Sequence, residues 1–174
     1  MRLAIALLVA LLLAGCNPGP EPESTATPTH KLGTIEGFKL QTPDGKPVVF
    51  DPNDSSKVTV LSFWSVTWNP ENEAHLDLLN ELYERYGNKG LRIIAIAYDE
   101  KPEAVKAVME KRILPFEVAM GTKELYERFK LTSIPATFVV SPGGALRKRL
   151  EGLQTVETLT ELIKPELPGR SGNR

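Results

Sequence analysis

The sequence predicts an α/β protein built on one central mixed β-sheet flanked by helices. A continuous apolar, β-prone run over residues 58–64 precedes a long helical pattern over residues 71–86, and a second such run follows at residues 91–98. Nearer the C-terminus, two further β-prone runs are joined by Ser-Pro-Gly-Gly at residues 141–144. Alternating strands and helices favour parallel pairs, whereas the tight turn favours an antiparallel pair, so we expect mixed strand directions.

The first element of the folded part is predicted to be a β-hairpin. Short apolar runs at residues 38–41 and 47–50 flank the segment Thr-Pro-Asp-Gly-Lys at residues 42–46. Asp-Gly between two such runs is a strong hairpin signal because both residues tolerate the backbone conformations of a tight turn.

The remaining elements follow from periodicity and breakers. The run at 58–64 lacks polar alternation, as expected of a strand buried on both faces. The helix at 71–86 carries an apolar stripe that includes Leu78, Leu79 and Leu82. Further helices are predicted at 101–112, 122–129 and 155–163, and further strands at 116–118, 134–140 and 145–151.

The N-terminus predicts export to the bacterial cell envelope. Met1-Arg2 precedes an unbroken apolar run over residues 3–14. As a helix this run would rise only ~18 Å, against ~30 Å for a hydrocarbon core, so it is interpreted as a signal peptide. Leu13-Ala14-Gly15-Cys16 resembles the lipobox of bacterial lipoproteins, in which the cysteine is acylated and becomes the first mature residue. An ordinary signal peptide that happens to contain a cysteine is the alternative.

These observations divide the chain into four parts. We predict a lipoprotein signal peptide at 1–15, an acylated Cys16 with a Pro-rich tether at 16–33, a folded domain at 34–165, and a flexible tail at 166–174. The lipid on Cys16 would attach the protein to a membrane, facing the periplasm or another extracytoplasmic space.

Composition excludes several function classes. The net charge of −1 gives no reason to expect nucleic acid as a partner, and the densest basic group, at residues 147–149, is interpreted as a solvated strand edge. Cys16 is the only cysteine, so an acylated mature chain would have no thiol for chemistry of its own. We expect a monomer.

Several motifs occur in an order that is informative as a set. They are Pro-Asp-Gly-Lys at 43–46, Phe63-Trp64 at the end of a buried strand, Thr67-Trp68-x-Pro70, Asp99-Glu100, and Ile134-Pro135-Ala136-Thr137-Phe138 followed by Pro-Gly-Gly at 142–144. From about residue 37 to residue 164 the chain resembles the membrane-anchored thiol-disulfide oxidoreductases of the TlpA type, including those of cytochrome c maturation. The resemblance implies a thioredoxin-like fold with an N-terminal hairpin, an extra helix and a cis-proline at Pro135.

The same comparison shows where the chain departs from that family. Asn69 and Asn72 stand at the positions of the two catalytic cysteines, so no catalytic residue can be carried over. The segment at 64–68 also holds one residue more than the family pattern. Whether the protein is an enzyme is therefore left open, and it is not expected to be catalytic alone.

Local chemistry explains Asn69 without a catalytic role. Asparagine is a favoured N-cap, Pro70 suits the first helical position, and Glu71 and Glu73 complement the helix dipole. Such a cap contributes roughly 1 kcal/mol. The interpretation is that a stabilising cap stands where the family has a reactive thiol.

A metal site is weakly suggested and is not adopted. Glu71 and His75 are four residues apart and would share a helix face, but no third ligand is near in the sequence. We interpret them as a solvated pair and predict neither a metal nor another cofactor.

The resemblance leaves one binding function in place. In the family, the backbone before the cis-proline receives an extended substrate segment, and Ile134, Pro135 and Trp68 would supply that surface here. The alternative is that Pro135 only fixes the fold and the tryptophans are packing residues. Three hypotheses stay open: a redox-inactive module binding an envelope protein or peptide, an oxidoreductase or antioxidant-family protein using a partner's thiols or a metal, and a structural scaffold.

Overall fold

The structure is a computed structural model that describes residues 33–53, 56–67, 71–99 and 101–169. The predicted signal peptide, Cys16 and nearly all of the tether lie outside these residues. The strands are β1 (Phe38–Gln41), β2 (Pro47–Phe50), β3 (Val58–Trp64), β4 (Leu91–Ala97), β5 (Glu117–Met120), β6 (Ala136–Val140) and β7 (Leu146–Glu151). The helices are α1 (Glu71–Tyr86), α2 (Pro102–Lys111), α3 (Lys123–Phe129) and α4 (Val156–Ile163).

The strands form one seven-stranded mixed sheet, which confirms the predicted fold class. Its order is β2-β1-β5-β4-β3-β6-β7, with β3, β4 and β5 parallel and the other neighbours antiparallel. The predicted hairpin is β1–β2, with Phe38 opposite Phe50. β3 is paired on both sides and buried along its whole length, as its continuous apolar sequence requires.

The core has two layers, one on each face of the sheet, because successive side chains of a strand point to opposite faces. In β3, Val60 and Trp64 pack with α1 and α4, whereas Leu61 and Phe63 pack with α3 and the hairpin. Helices therefore cover both faces of the sheet with the apolar side chains of their buried stripes.

Three helices begin one residue later than predicted because their first predicted residue is the N-cap, and in α3 and α4 that residue is a threonine whose hydroxyl accepts a hydrogen bond. The hydroxyl of Thr122 accepts a hydrogen bond from the backbone N–H of Leu125 at 3.3 Å. Thr155 does the same for Thr158 at 3.1 Å. Threonine satisfies an otherwise unpaired helix-start N–H in this position.

The predicted extra helix is α2, which lies between β4 and β5. Val105 anchors it in the core, and Arg112 at its end forms ion pairs with Glu73 and Asp77 of α1. No helix in the four described ranges is long and apolar enough to cross a membrane.

We predicted a flexible tail from residue 166 onwards, and for residues 166–168 that prediction is wrong. Lys164–Glu166 forms a 3₁₀ turn, and a carboxylate oxygen of Glu166 lies 3.0 Å from Nε of Arg147. Leu167 packs against the core, and Pro168 lies so close to Gly90 that a Cβ there would be 2.3 Å from its ring. The packed domain therefore continues to at least Gly169.

The basic group at 147–149 lies on the edge strand β7, as predicted, but only Lys148 is exposed. Arg147 pairs with Glu166, and Arg149 donates to the backbone carbonyls of Phe129 and Lys130. Two of the three cations therefore stabilise the fold.

Candidate functional site

The predicted site lies at one end of the sheet, where β3 ends and β6 begins. Phe63 of β3 is paired with Ala136 of β6, so the end of β3 lies beside the Ile134–Pro135 peptide bond. That bond is cis, as the family resemblance implied. Pro135 is buried and Ile134 is half-buried.

Part of the predicted site falls outside the described residues. Trp68 and Asn69 belong to that part, so the proposed N-cap and the predicted contact of Trp68 with an extended peptide stay predictions. Asn72 is the second residue of α1, and its side chain is likewise not described. Glu71 and Glu73 in the first turn are exposed.

Asp99 organises the segment that leads from β3 towards Trp68. Its carboxylate accepts hydrogen bonds from the hydroxyl of Ser65 at 3.1 Å and from the backbone N–H of Val66 at 3.0 Å. The hydroxyl of Ser65 accepts in turn from the N–H of Thr67 at 3.2 Å. The segment with the extra residue is thus held by a charged acceptor from the neighbouring strand's end. Sequence analysis noted Asp99 only as a family match, although an acid directly after a buried strand was a usable signal.

Glu151, the last residue of β7, holds the loop that precedes Pro135. Its carboxylate oxygens accept hydrogen bonds from the hydroxyls of Thr132 at 2.9 Å and Ser133 at 3.5 Å. The hydrogen bond from Thr132 first, and that from Arg149 second, lower the pKa of Glu151. The N–H of Gly152 also donates to the carbonyl of Pro135 at 2.8 Å.

The backbone of Ile134 is left available by this arrangement. Within the described ranges, neither its N–H nor its C=O is bonded to another backbone group. Main-chain groups of this kind are what an added extended segment pairs with in other proteins.

A cavity of about 300 Å³ opens directly beside Ile134. Its apolar wall includes Tyr98, Tyr126 and Leu131, and the two tyrosine rings lie 4.0 Å apart between centroids. The phenol of Tyr126 donates a hydrogen bond to the carbonyl of Ala97 at 2.7 Å, and burial raises its pKa, so it stays neutral. Sequence analysis recognised Tyr126 only as an inward helix residue and missed this cavity.

The prediction of a solvated Glu71–His75 pair is wrong. His75 is fully buried, and its Nε2 lies 2.5 Å from the hydroxyl oxygen of Ser62, which faces α1 from β3. Burial lowers the pKa of His75 to about 4, so the imidazole is neutral at pH 7. His75 lies one helical turn before Leu78 and Leu79 and continues their apolar stripe, which was the signal for burial. In the described part of the chain, no three His, Cys, Asp or Glu side chains are grouped as metal ligands.

Comparison with known proteins places these features in a family. Residues 34–149 match the family model described as the AhpC/TSA family. The chain is 31% identical over 142 residues to the thiol-disulfide oxidoreductase ResA of Bacillus thuringiensis subsp. konkukian, covering 81% of this chain and 76% of that protein.

Solved structures show the same fold at lower identity. A thiol:disulfide interchange protein of Chlorobium tepidum TLS, of the thioredoxin family, superposes with a TM-score of 0.68 at 23% identity, covering 76% of this chain and 94% of that one. StoA of Bacillus subtilis gives 0.62 at 20% identity, covering 75% and 98%. The chain therefore has the thioredoxin-like fold that the resemblance implied.

Proposed function

The chain belongs to the AhpC/TSA family, and we propose that it is a lipid-anchored, envelope-exposed member that binds a segment of a partner polypeptide and performs no disulfide exchange with thiols of its own. The proposal keeps the thiol-disulfide oxidoreductase-like fold and assigns it a binding function.

The cysteine content of the chain supports the absence of thiol-based redox chemistry. Thiol-disulfide exchange requires a thiolate as attacking group, and Cys16 is the only cysteine of the chain. Asn69 and Asn72 stand at the family's two cysteine positions. An acylated Cys16 would leave the mature protein without a free thiol.

The unpaired backbone of Ile134 is the observation that carries the binding function. Its N–H and C=O face no other backbone group in the described ranges, while Glu151 and the Gly152–Pro135 hydrogen bond hold the flanking loop in place. A preorganised edge loses less entropy on binding than a mobile one, so a peptide can add to it with a smaller ordering cost.

The anchor rests on the sequence around Cys16. The apolar run at 3–14 and the Leu-Ala-Gly-Cys ending support acylation and display outside the cytoplasm. Labelling of cells with a radioactive fatty acid tests this, because the unaltered protein should take up label and the Cys16→Ser variant should not.

Photo-crosslinking in living cells tests the binding function. A photoreactive residue at Asn72, in the first turn of α1, should capture one recurrent envelope protein, and Trp68→Ala should weaken the capture. Lys39 is a control position because it is exposed and lies on β1, which β5 and β4 separate from β3 in the sheet. Equal capture at both positions, or no effect of Trp68→Ala, would contradict the proposal and favour a scaffold.

A second candidate is an oxidoreductase that uses a partner's thiols or a metal, and the names of its ResA relatives favour it. Reduction of insulin disulfides by the purified protein, with and without added divalent metal, tests this function. If the protein reduces no more insulin disulfide than the reductant alone does, and if a titration shows no binding of the added metal, this second function is excluded.

A further inference from the structure

We propose that the cavity beside Ile134 is a side-chain specificity pocket, and that it selects a segment in which a large aromatic or aliphatic residue is followed two positions later by an acidic one. This inference rests on the proposed peptide-binding function and names the chemistry of the partner segment.

The size and walls of the cavity define its first requirement. About 300 Å³ is at the small end of ligand pockets and suits one large side chain. The walls contributed by Tyr98, Tyr126, Leu131 and Ile134 are aromatic or aliphatic. An apolar side chain placed there would gain burial against the two closely packed tyrosine rings, and aromatic pairs gain further from offset or edge-to-face contact.

The position of the cavity explains how such a side chain would reach it. Ile134 lines the cavity, and among the residues that the structure describes its backbone N–H and C=O are bonded to no other backbone group. Successive side chains of an extended segment point to opposite sides, so a segment paired with Ile134 directs alternate residues towards the cavity. Backbone pairing would supply affinity and the cavity would supply selectivity.

The charges at the rim define the second requirement. Lys123, Glu127 and Lys130 of α3 and its C-terminal end line the opening. Nζ of Lys123 lies 3.8 Å from a carboxylate oxygen of Glu127, so these two charges largely offset each other. Lys130 takes part in no ion pair with the residues that the structure describes, which leaves the α3 side of the opening with one net positive charge. An acidic residue two positions from the apolar one points to the same side of an extended segment and would complement that charge.

Three labelled peptides test the inference on the full-length protein in detergent micelles. Each is a nonapeptide of serine and threonine; the first carries phenylalanine followed two positions later by glutamate, the second has alanine for phenylalanine, and the third has lysine for glutamate. By fluorescence anisotropy, the alanine peptide should bind at least about tenfold more weakly than the first, from lost apolar burial. The lysine peptide should bind roughly fivefold more weakly, from lost charge complementarity at an exposed rim.

Variants of the protein complete the design. Lys123→Glu/Lys130→Glu should reverse the preference between the glutamate and lysine peptides, because it replaces the positive charge at the opening with negative charge at two exposed positions. Lys39→Glu/Lys111→Glu makes the same change of charge at two exposed positions that do not line the cavity, and it should leave the preference unaltered.

The outcomes separate this inference from the proposed function. Equal binding of the three peptides, or equal effects of the rim and control variants, overturns the specificity pocket while peptide binding stands. If no peptide binds but the photoreactive residue at Asn72 still captures a protein, the specificity pocket is overturned and the proposed binding function stands. If no peptide binds and nothing is captured at Asn72, both are overturned. A dimer in sedimentation that Lys130→Glu dissociates would make a second copy the occupant and overturn the inference.

Discussion

The carboxylate of Asp99 accepts a hydrogen bond from the backbone N–H of Val66 at 3.0 Å, joining the segments that follow two neighbouring strands. β3 and β4 are parallel, with Trp64 opposite Ala97, so their carboxyl ends meet at one edge of the sheet. Parallel sheets commonly bind ligands beyond that edge. Asp99 therefore positions the main chain that leads into the candidate binding face.

Replacing Asp99 should loosen that segment. Asp99→Ala leaves the N–H of Val66 and the hydroxyl of Ser65 without this acceptor, and we expect a loss of about 1–2 kcal/mol in the free energy of unfolding. Asp99→Asn keeps one acceptor oxygen and should lose less. Urea denaturation measures both, with the exposed Glu110→Ala as control. Equal stability of the Asp99 and Glu110 variants would show that the hydrogen bonds contribute nothing measurable.

The buried His75 should make stability depend on pH. Its pKa is about 4 in the folded protein and 6.5 without burial, so the unfolded chain binds the proton more readily. The contribution of neutral His75 is complete above pH 6.5 and is lost as the pH falls towards 4. The difference between the two pKa values corresponds to about 3 kcal/mol.

A double variant separates the pH dependence caused by His75 from that caused by the carboxylates. His75→Leu with Ser62→Ala removes the titrating group and its partner together. Subtracting its unfolding free energy from that of the unaltered protein, at each pH between 4 and 7, should give a difference that rises with pH. A difference that does not change with pH would mean that His75 does not titrate in this range.

The segment after α4 should contribute to stability although it was predicted as a loose tail. A chain ending at Lys164 loses the Arg147–Glu166 ion pair and the packing of Leu167, for an expected loss of about 1–3 kcal/mol. A chain ending at Gly169 keeps both and serves as the matched control. Thermal unfolding of the two proteins should differ, and equal midpoints would contradict the packed assignment.

Returning cysteines to the family positions should test whether loss of the thiols is what removes disulfide exchange. Asn69→Cys/Asn72→Cys should reduce insulin disulfides, because a thiol at a helix N-terminus has a lowered pKa. The unaltered protein and Asn69→Cys alone should not turn over, since neither has a resolving thiol. Inactivity of the double variant would mean that the site segment itself has changed beyond the two residues.

The elements predicted best were those whose signals are local. β3 and α1 have the predicted bounds because a continuous apolar run and a one-sided stripe specify burial directly. The β1–β2 hairpin was predicted equally well, because an Asp-Gly pair lies between its two apolar runs. Helix starts at Thr122 and Thr155 were displaced by one residue only because an N-cap has extended backbone.

The failures involve contacts between residues far apart in the chain. Nothing in the sequence near Pro165 announces that Glu166 will meet Arg147, or that Pro168 will cover Gly90. The burial of His75 could have been predicted from the apolar stripe of α1, but its contact with Ser62 could not. The cavity beside Ile134 is likewise assembled from distant parts of the chain, α3 and the end of β4. Such pairings depend on the three-dimensional arrangement of strands, which periodicity does not encode.

The bridge between Thr34 and Ala145 fixes where the folded chain begins. It places that start beside the β6–β7 turn, at the end of β6 opposite Ile134. The predicted tether would therefore enter the domain at the end of the sheet away from the candidate site. A segment bound at Ile134 would not compete with the tether for the same end of the sheet.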